Sequence, residues 1–299
     1  MEVCVIGCGY WGSKYLKVLD RVRNVKIIHI CDIDKRRLVK YGKRNKLKTY
    51  DNYKELIKSG NIKSVFIITP NITHYRIAKD CLMNGKNILV EKPFCLNSRE
   101  ARELTKIAQK KNLVSLCGYI YIFDGCVKKL KEFIIKEGIR DTKEINFYWL
   151  DKLRNIKKDM KIIPDLGVHP LSIMNYLFNI QPTIKNYKIG MKEKKEVSAY
   201  IKLDYNGIKV NILLSWDSPI KKRTILIKGH NIHTEVDCIK QRITAKGSLI
   251  FQKITYIVKE KPLDMEINHF LNLIKNKLTS SIIGPKFNLE ICRILDRFK

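Results

Sequence analysis

The sequence predicts an α/β protein in two domains. Residues 1–118 form an N-terminal doubly wound parallel sheet, and residues 119–299 form a C-terminal α+β domain with an open, mainly antiparallel sheet. Three observations carry this. Short β-branched runs alternate with amphipathic stretches through the first 118 residues, the β-α-β pattern of a parallel sheet. A glycine-rich turn, Gly7-Cys8-Gly9-Tyr10-Trp11-Gly12, joins the first strand to the first helix. Beyond residue 118, strands recur at short intervals with turn residues between them.

The elements follow in order. Residues 2–6 are an apolar strand. The period over 12–23 is helical, with Tyr15, Leu16 and Leu19 on one side. A β-branched run at 26–32 precedes a helix over 34–44. Residues 64–69 are apolar throughout, as in a strand covered on both faces. A helix over 73–84 ends at Gly85, which suits a left-handed cap. A strand at 87–90 leads to a helix over 97–111, opened by Asn97 and Glu100 at capping-box spacing, and a strand at 114–117. The second domain has a helix over 126–137 running to Gly138, a strand at 144–150, a basic polar stretch at 151–164 and a helix over 166–179. Strands follow at 184–189, 197–203, 209–216, 224–228 and 254–258. Asn206-Gly207 marks a hairpin, and helices over 265–277 and 289–298 close the chain.

Bulk properties narrow the function classes. The chain has 299 residues, 45% hydrophobic, enough for a sizeable core. No apolar run approaches the roughly 18–20 residues of a membrane helix. The opening reads as a strand without a charged leader, so a cytoplasmic location is expected. Nine cysteines, scattered and without CxxC, argue against a disulfide framework or a metal site. Lys plus Arg is 59 against 29 acids, a net charge of +30. That charge is spread along the chain in short runs such as Lys192-Glu193-Lys194-Lys195. It reads as solvated faces rather than a nucleic-acid footprint, and its field attracts anionic small molecules.

The turn at Gly7–Gly12 fits GxGxxG between a strand and a helix. Gly7 allows the tight turn, Gly9 lets backbone approach a pyrophosphate, and Gly12 permits close helix packing. The loop, Tyr10 and Trp11 included, is therefore read as a dinucleotide cradle at a helix N-terminus. Asp32 closes the second strand where an acid hydrogen-bonds ribose hydroxyls, which favours NAD. Lys35, Arg36 and Arg37 just beyond could meet a 2′-phosphate, so NADP stays open, as does a simple helix-entry role for Asp32.

Three further segments carry candidate chemistry. Thr69-Pro70-Asn71-Ile72-Thr73-His74 lies at the C-terminal end of a strand, the ligand edge of an open parallel sheet. It also suits an ordinary strand-to-helix loop. Glu91-Lys92-Pro93 ends the next strand. A lysine there can polarise a substrate oxygen, with Glu91 holding its ammonium and Pro93 fixing the turn in cis; the alternative is a surface lysine. Asp165 and His169 stand four apart at a helix start, where a carboxylate can orient an imidazole base. A capping Asp and a structural His fit the same pattern.

Together these motifs resemble the Gfo/Idh/MocA oxidoreductase family over nearly the whole chain. The resemblance rests on Gly7–Gly12, Thr69-Pro70 with His74, Gly85-Lys86 leading into Glu91-Lys92-Pro93, and Asp165 with His169. It implies a Rossmann domain followed by an open-sheet domain that packs into homodimers or homotetramers, and NAD(P)-dependent oxidation of a sugar hydroxyl. It also implies that Lys92 polarises that hydroxyl, His169 is the base and Asp165 its partner. Within the family, His169-Pro170-Leu171-Ser172-Ile173, the segments Ser215–Pro219 and Arg223–Gly229, and Glu266-x-x-His269-Phe270 are similar to members that oxidise the 3-hydroxyl of UDP-N-acetylglucosamine-type sugars. Lys152, Arg154, Lys157 and Lys158 are then expected to meet a nucleotide-sugar pyrophosphate.

Overall fold

The computed structural model describes residues 1–41, 46–137, 142–152, 161–230, 232–247, 254–278 and 283–298. In chain order its elements begin β1 (Glu2–Ile6), α1 (Tyr10–Arg21), β2 (Ile27–Cys31), α2 (Lys35–Val39), β3 (Leu47–Tyr50), α3 (Tyr53–Lys58), β4 (Ile62–Ile67), α4 (His74–Met83), β5 (Asn87–Val90), α5 (Ser98–Lys110) and β6 (Ser115–Cys117). They continue α6 (Gly125–Glu137), β7 (Thr142–Lys152), α7 (Val168–Phe178), β8 (Thr183–Lys192), β9 (Lys195–Tyr205), β10 (Ile208–Ser218), β11 (Lys222–Gly229), β12 (Ile232–Asp237), β13 (Arg242–Gly247), β14 (Ile254–Ile257), α8 (Pro262–Lys275) and α9 (Pro285–Asp296). Two compact units result: Met1–Tyr119 with Leu263–Asp296, and Ile120–Pro262 with Arg297–Lys299.

The first unit holds a six-stranded sheet in the order β3-β2-β1-β4-β5-β6, parallel throughout. Strand order reverses between β1 and β4, and the crevice past their C-terminal ends is the ligand edge of such a sheet. Val3, Cys4, Val5, Val65, Phe66, Ile88 and Leu89 are fully buried, as expected for strands covered on both faces.

The expected division at residue 119 places the last two helices in the second domain; the structure places them in the first unit. The reason is their apolar faces. Phe270 of α8 meets Phe66 edge-on at 5.1 Å. In α9, Phe287, Ile291, Cys292 and Ile294 are buried, and Asn288 donates to Ser115 O at 3.1 Å.

The second unit is an eight-stranded sheet in the order β14-β13-β12-β11-β7-β10-β9-β8. Only β7 and β10 pair in parallel; the other pairs are antiparallel. Burial alternates along β7, β9 and β10, so one face forms a core. Trp149 and Trp216 are its largest fully buried side chains. Asn206 and Gly207 both have positive φ, the turn expected between β9 and β10. Glu193 and Lys194 do the same between β8 and β9, so that charged run is a tight hairpin.

Several elements differ from expectation. The first helix starts at Tyr10, two residues early, because Gly9 serves as its N-cap. The helix expected over 34–44 stops at Val39, and residues 42–45 lie outside the described residues, as does Gly138. β3, α3, β12 and β13 were not expected; their polar composition hides the period. Among the described residues no helix is long and apolar enough to cross a membrane. None of their His, Cys, Asp and Glu side chains group in threes or more to hold a metal, and the nine cysteines are buried.

Candidate active site

In the first unit the glycine loop follows β1. Gly7 has φ +97, and a Cβ there would lie 2.4 Å from Ile68 O. A Cβ on Gly12 would stand 2.0 Å from Gly7 O. Neither position accepts another residue. Around Gly9, by contrast, a Cβ would meet only the Arg37 guanidinium at 3.8 Å, so the backbone there is open to approach. The start of α1 carries no side-chain cap or acid in its first turn. Lys14 sits 4.3 Å over the rings of both Tyr10 and Trp11, which are exposed. A helix N-terminus, an open glycine and a nearby ammonium fit a pyrophosphate.

Asp32 is buried and turned into this loop. Its carboxylate accepts the Cys8 N–H at 2.7 Å and the Asp34 N–H at 2.9 Å, and pairs with Arg37 at 3.4 Å. It thus pins the glycine loop to the end of β2. Asp34 holds Arg36 at 2.9 Å, and Asp51 holds Lys35 at 2.9 Å.

Thr69-Pro70 follows β4, and Asn71–Thr73 form a 3₁₀ turn into α4. The Thr73 hydroxyl lies 2.6 Å from Pro70 O and 2.7 Å from Thr69 Oγ1. His74, expected at the cofactor, is a buried clip. Its Nδ1 is 2.8 Å from Pro93 O and its Nε2 2.8 Å from Thr69 O, tying the two ligand-edge loops together. Burial lowers its affinity for a proton.

The Lys92–Pro93 peptide is cis. Glu91, expected beside the Lys92 ammonium, makes two bonds to other groups. Its Oε2 accepts the Lys92 backbone N–H at 2.9 Å, and its Oε1 lies 3.1 Å from the Tyr15 hydroxyl.

In the second unit, Asp165 and His169 do not open a plain α-helix. Ile163–Gly167 form a π turn, and α7 begins only at Val168. Gly167 lets that turn lie against β10, where a Cβ would come 3.1 Å from Leu214. Such turns concentrate at functional sites. Asp165 Oδ2 accepts the Trp216 indole N–H at 3.2 Å. The buried His169 ring has Tyr121 edge-on at 5.0 Å and Trp149 at 6.4 Å. Burial pushes the Tyr121 phenol up to about 12. Beside this aromatic niche the buried Arg223 bonds Asp151 at 2.6 Å and Leu150 O at 2.6 Å, 5.6 Å from the Trp149 ring. Tyr121 and Trp149 were missed in the sequence; one sits at the domain boundary and the other reads as ordinary strand core. Lys152 is exposed, while Arg154, Lys157 and Lys158 lie outside the described residues.

Comparison with known proteins places these features in context. Residues 1–119 match the family described as "Oxidoreductase family, NAD-binding Rossmann fold", GFO_IDH_MocA. The glucose-6-phosphate 3-dehydrogenase of Bacillus subtilis is 25% identical over 66% of this chain and 61% of its own length. The chain spans about three fifths or less of the first curated relatives it matches (61%, 58% and 53%). The UDP-N-acetylglucosamine 3-dehydrogenase of Acidithiobacillus ferrooxidans is 24% identical over 92% of this chain and 88% of its own. A solved structure under that name aligns with TM-score 0.89 at 20% identity, covering 99% and 96% of the two chains. A 3-ketoreductase from Actinomadura kijaniata, solved with TDP-benzene and NADP, aligns with TM-score 0.88 at 13% identity over 99% and 96%. The match to the Gfo/Idh/MocA oxidoreductase model, with its NAD-binding Rossmann fold, thus spans the parallel sheet of the first unit, residues 1–119.

Proposed function

We propose that the protein is an NAD(P)-dependent dehydrogenase that oxidises the 3-hydroxyl of a phosphate-bearing sugar, a UDP-N-acetylhexosamine-type nucleotide sugar first among them. The observation that carries this is the buried His169, packed on Tyr121 and near Trp149, one turn after an Asp165 anchored by Trp216. An imidazole held this way is arranged to move a proton rather than to fill a core. Bound nicotinamide supplies the hydride acceptor. Gly7, Gly9, Tyr10, Trp11 and Gly12 cradle the pyrophosphate, with Asp32 bracing the loop from behind. Thr69, Pro70, Asn71 and Glu91 line the ligand edge. Lys92 polarises the substrate oxygen, His169 takes its proton, and Asp165 orients His169.

Position 3 is common to the names of the three relatives above, and two of those names specify a phosphorylated sugar. The net charge of +30 suits an anionic substrate. Assembly into homodimers or homotetramers belongs to the same reading. Because the inward turn of Asp32 leaves the half-exposed Arg37 beside Gly9, NADP is a cofactor to test alongside NAD.

The test is reduction of NAD and of NADP, followed by the near-ultraviolet absorbance of reduced nicotinamide, with UDP-N-acetylglucosamine, its uronic acid, glucose 6-phosphate and inositol. Reduction with a UDP-sugar is expected, falling about 10²–10⁴-fold in Lys92→Ala while cofactor affinity is kept. In His169→Asn, oxidation should fall comparably and lose the acidic limb, on which rate falls as pH falls and the base is protonated. Turnover unchanged by Lys92→Ala, or no reduction with any of these substrates, would overturn the reading.

A further inference from the structure

Tyr15 of α1, Glu91 at the end of β5 and Glu266 of α8 meet inside the first unit. The Tyr15 hydroxyl lies 2.8 Å from Glu266 Oε1 and 3.1 Å from Glu91 Oε1. Both are hydrogen-bond lengths, so each needs a proton between its two oxygens. The hydroxyl has one proton to give. Were both carboxyls ionised, one would face the lone pairs of the phenol oxygen with nothing between them. One carboxyl therefore brings a proton of its own.

The surroundings decide which. Glu91 Oε2 accepts the Lys92 backbone N–H at 2.9 Å, a bond that favours an ionised acceptor. Glu266 is buried, and its Oε2 has no hydrogen-bond partner. Burial, then the charge on Glu91, push the Glu266 carboxyl well above the usual carboxylate range. The buried Tyr15 and Cys117, which feel both acids, are pushed up as well and supply no countercharge. The space is shaped for this arrangement: a Cβ on Gly118 would lie 3.2 Å from the Tyr15 hydroxyl and 3.5 Å from Glu91.

We propose that a proton on Glu266 bonds the Tyr15 oxygen, that Tyr15 in turn donates to an ionised Glu91, and that this relay is the positioning device for Lys92. No group is oxidised or reduced; the proton stays between Glu266 and Tyr15. The assignment gives Glu266 of the Glu266-x-x-His269-Phe270 segment a task. The positioning role rests on the dehydrogenase reading, whereas the protonated acid does not.

Infrared spectroscopy of the full chain at neutral pH separates the two. A protonated carboxylic-acid carbonyl band is expected, shifted by ¹³C-glutamate labelling and absent from Glu266→Gln. Failure to find it overturns the relay whatever the enzyme's substrate. In turnover, Tyr15→Phe and Glu266→Leu are expected to lower kcat about tenfold with the KM for cofactor unchanged. Glu266→Gln keeps a neutral donor and should restore kcat to within about threefold of wild type. Equal loss in Gln and Leu variants, or a loss confined to the KM for cofactor, overturns the positioning role.

Discussion

The two units build their candidate sites by different means. In the parallel-sheet unit the cradle is made by backbone: Gly7 and Gly12 are locked by carbonyls of the chain itself, and Asp32 acts through main-chain N–H groups. In the mixed-sheet unit the site is made by side chains. Trp216 of β10, Trp149 of β7 and Tyr121 surround Asp165 and His169 from places far apart in sequence. The difference teaches that a backbone site tolerates almost no change at its glycines and broad change around them. A side-chain site spreads its dependence over several aromatic residues.

The sharpest way to break that comparison is at the glycines. Gly12→Ala would drive a Cβ to 2.0 Å from Gly7 O, and it should cost about 3 kcal/mol or more in denaturant unfolding. Gly9→Ala meets nothing closer than 3.8 Å, so its unfolding midpoint should stay near wild type while cofactor affinity falls. Equal destabilisation of both would mean that the loop is not rigid.

A titrating group tests the second unit. Asp124 caps α6 by accepting the Cys126 N–H at 2.9 Å, and burial raises its carboxyl from 3.8 to about 6. A raised acid favours the folded state when protonated, so that stability is present below the unfolded value and is lost as pH rises to about 6. Asp124→Asn should therefore be more stable than wild type at neutral pH by roughly 1–3 kcal/mol, the gap closing toward pH ~4. Melting temperatures across that range measure it, and a gap independent of pH would refute the protonation account.

The smallest expected effect is Trp216→Phe, which removes one N–H from Asp165 while keeping an aromatic core residue. It should cost about 1 kcal/mol in stability and about tenfold in turnover. Loss of stability without loss of turnover would make Trp216 a packing residue alone.

The same contrast explains what was legible in the sequence. Glycine positions, the strand-end Glu91-Lys92 and the Asn206-Gly207 turn are local, so residue order exposes them. The Trp216–Asp165 bond spans 51 positions, and no local pattern signals it. His74 shows its ligand-edge position in the sequence, but its seat between the Thr69 and Pro93 carbonyls spans 19 positions and has no local signal. The π turn escaped because the close approach of Gly167 to Leu214 is a tertiary feature that residue order does not show. β12 and β13 escaped because a polar hairpin closed by Asp237 on the Ile239 and Lys240 N–H groups shows little alternation.

The return of α8 and α9 to the first unit bears on how the molecule is made. Tyr15 and Glu266 are 251 positions apart, and the Ser98 N–H donates to the Asp296 carboxylate across 198. On a ribosome, the cradle-bearing sheet emerges well before the helices that cover Phe66 and Ser115. Until then its apolar side stands open to solvent and to other nascent chains, so the N-terminal stretch is a client for holding factors rather than a finished domain. A fragment cut at residue 119 should accordingly aggregate, and supplying 263–296 as a separate peptide should rescue it.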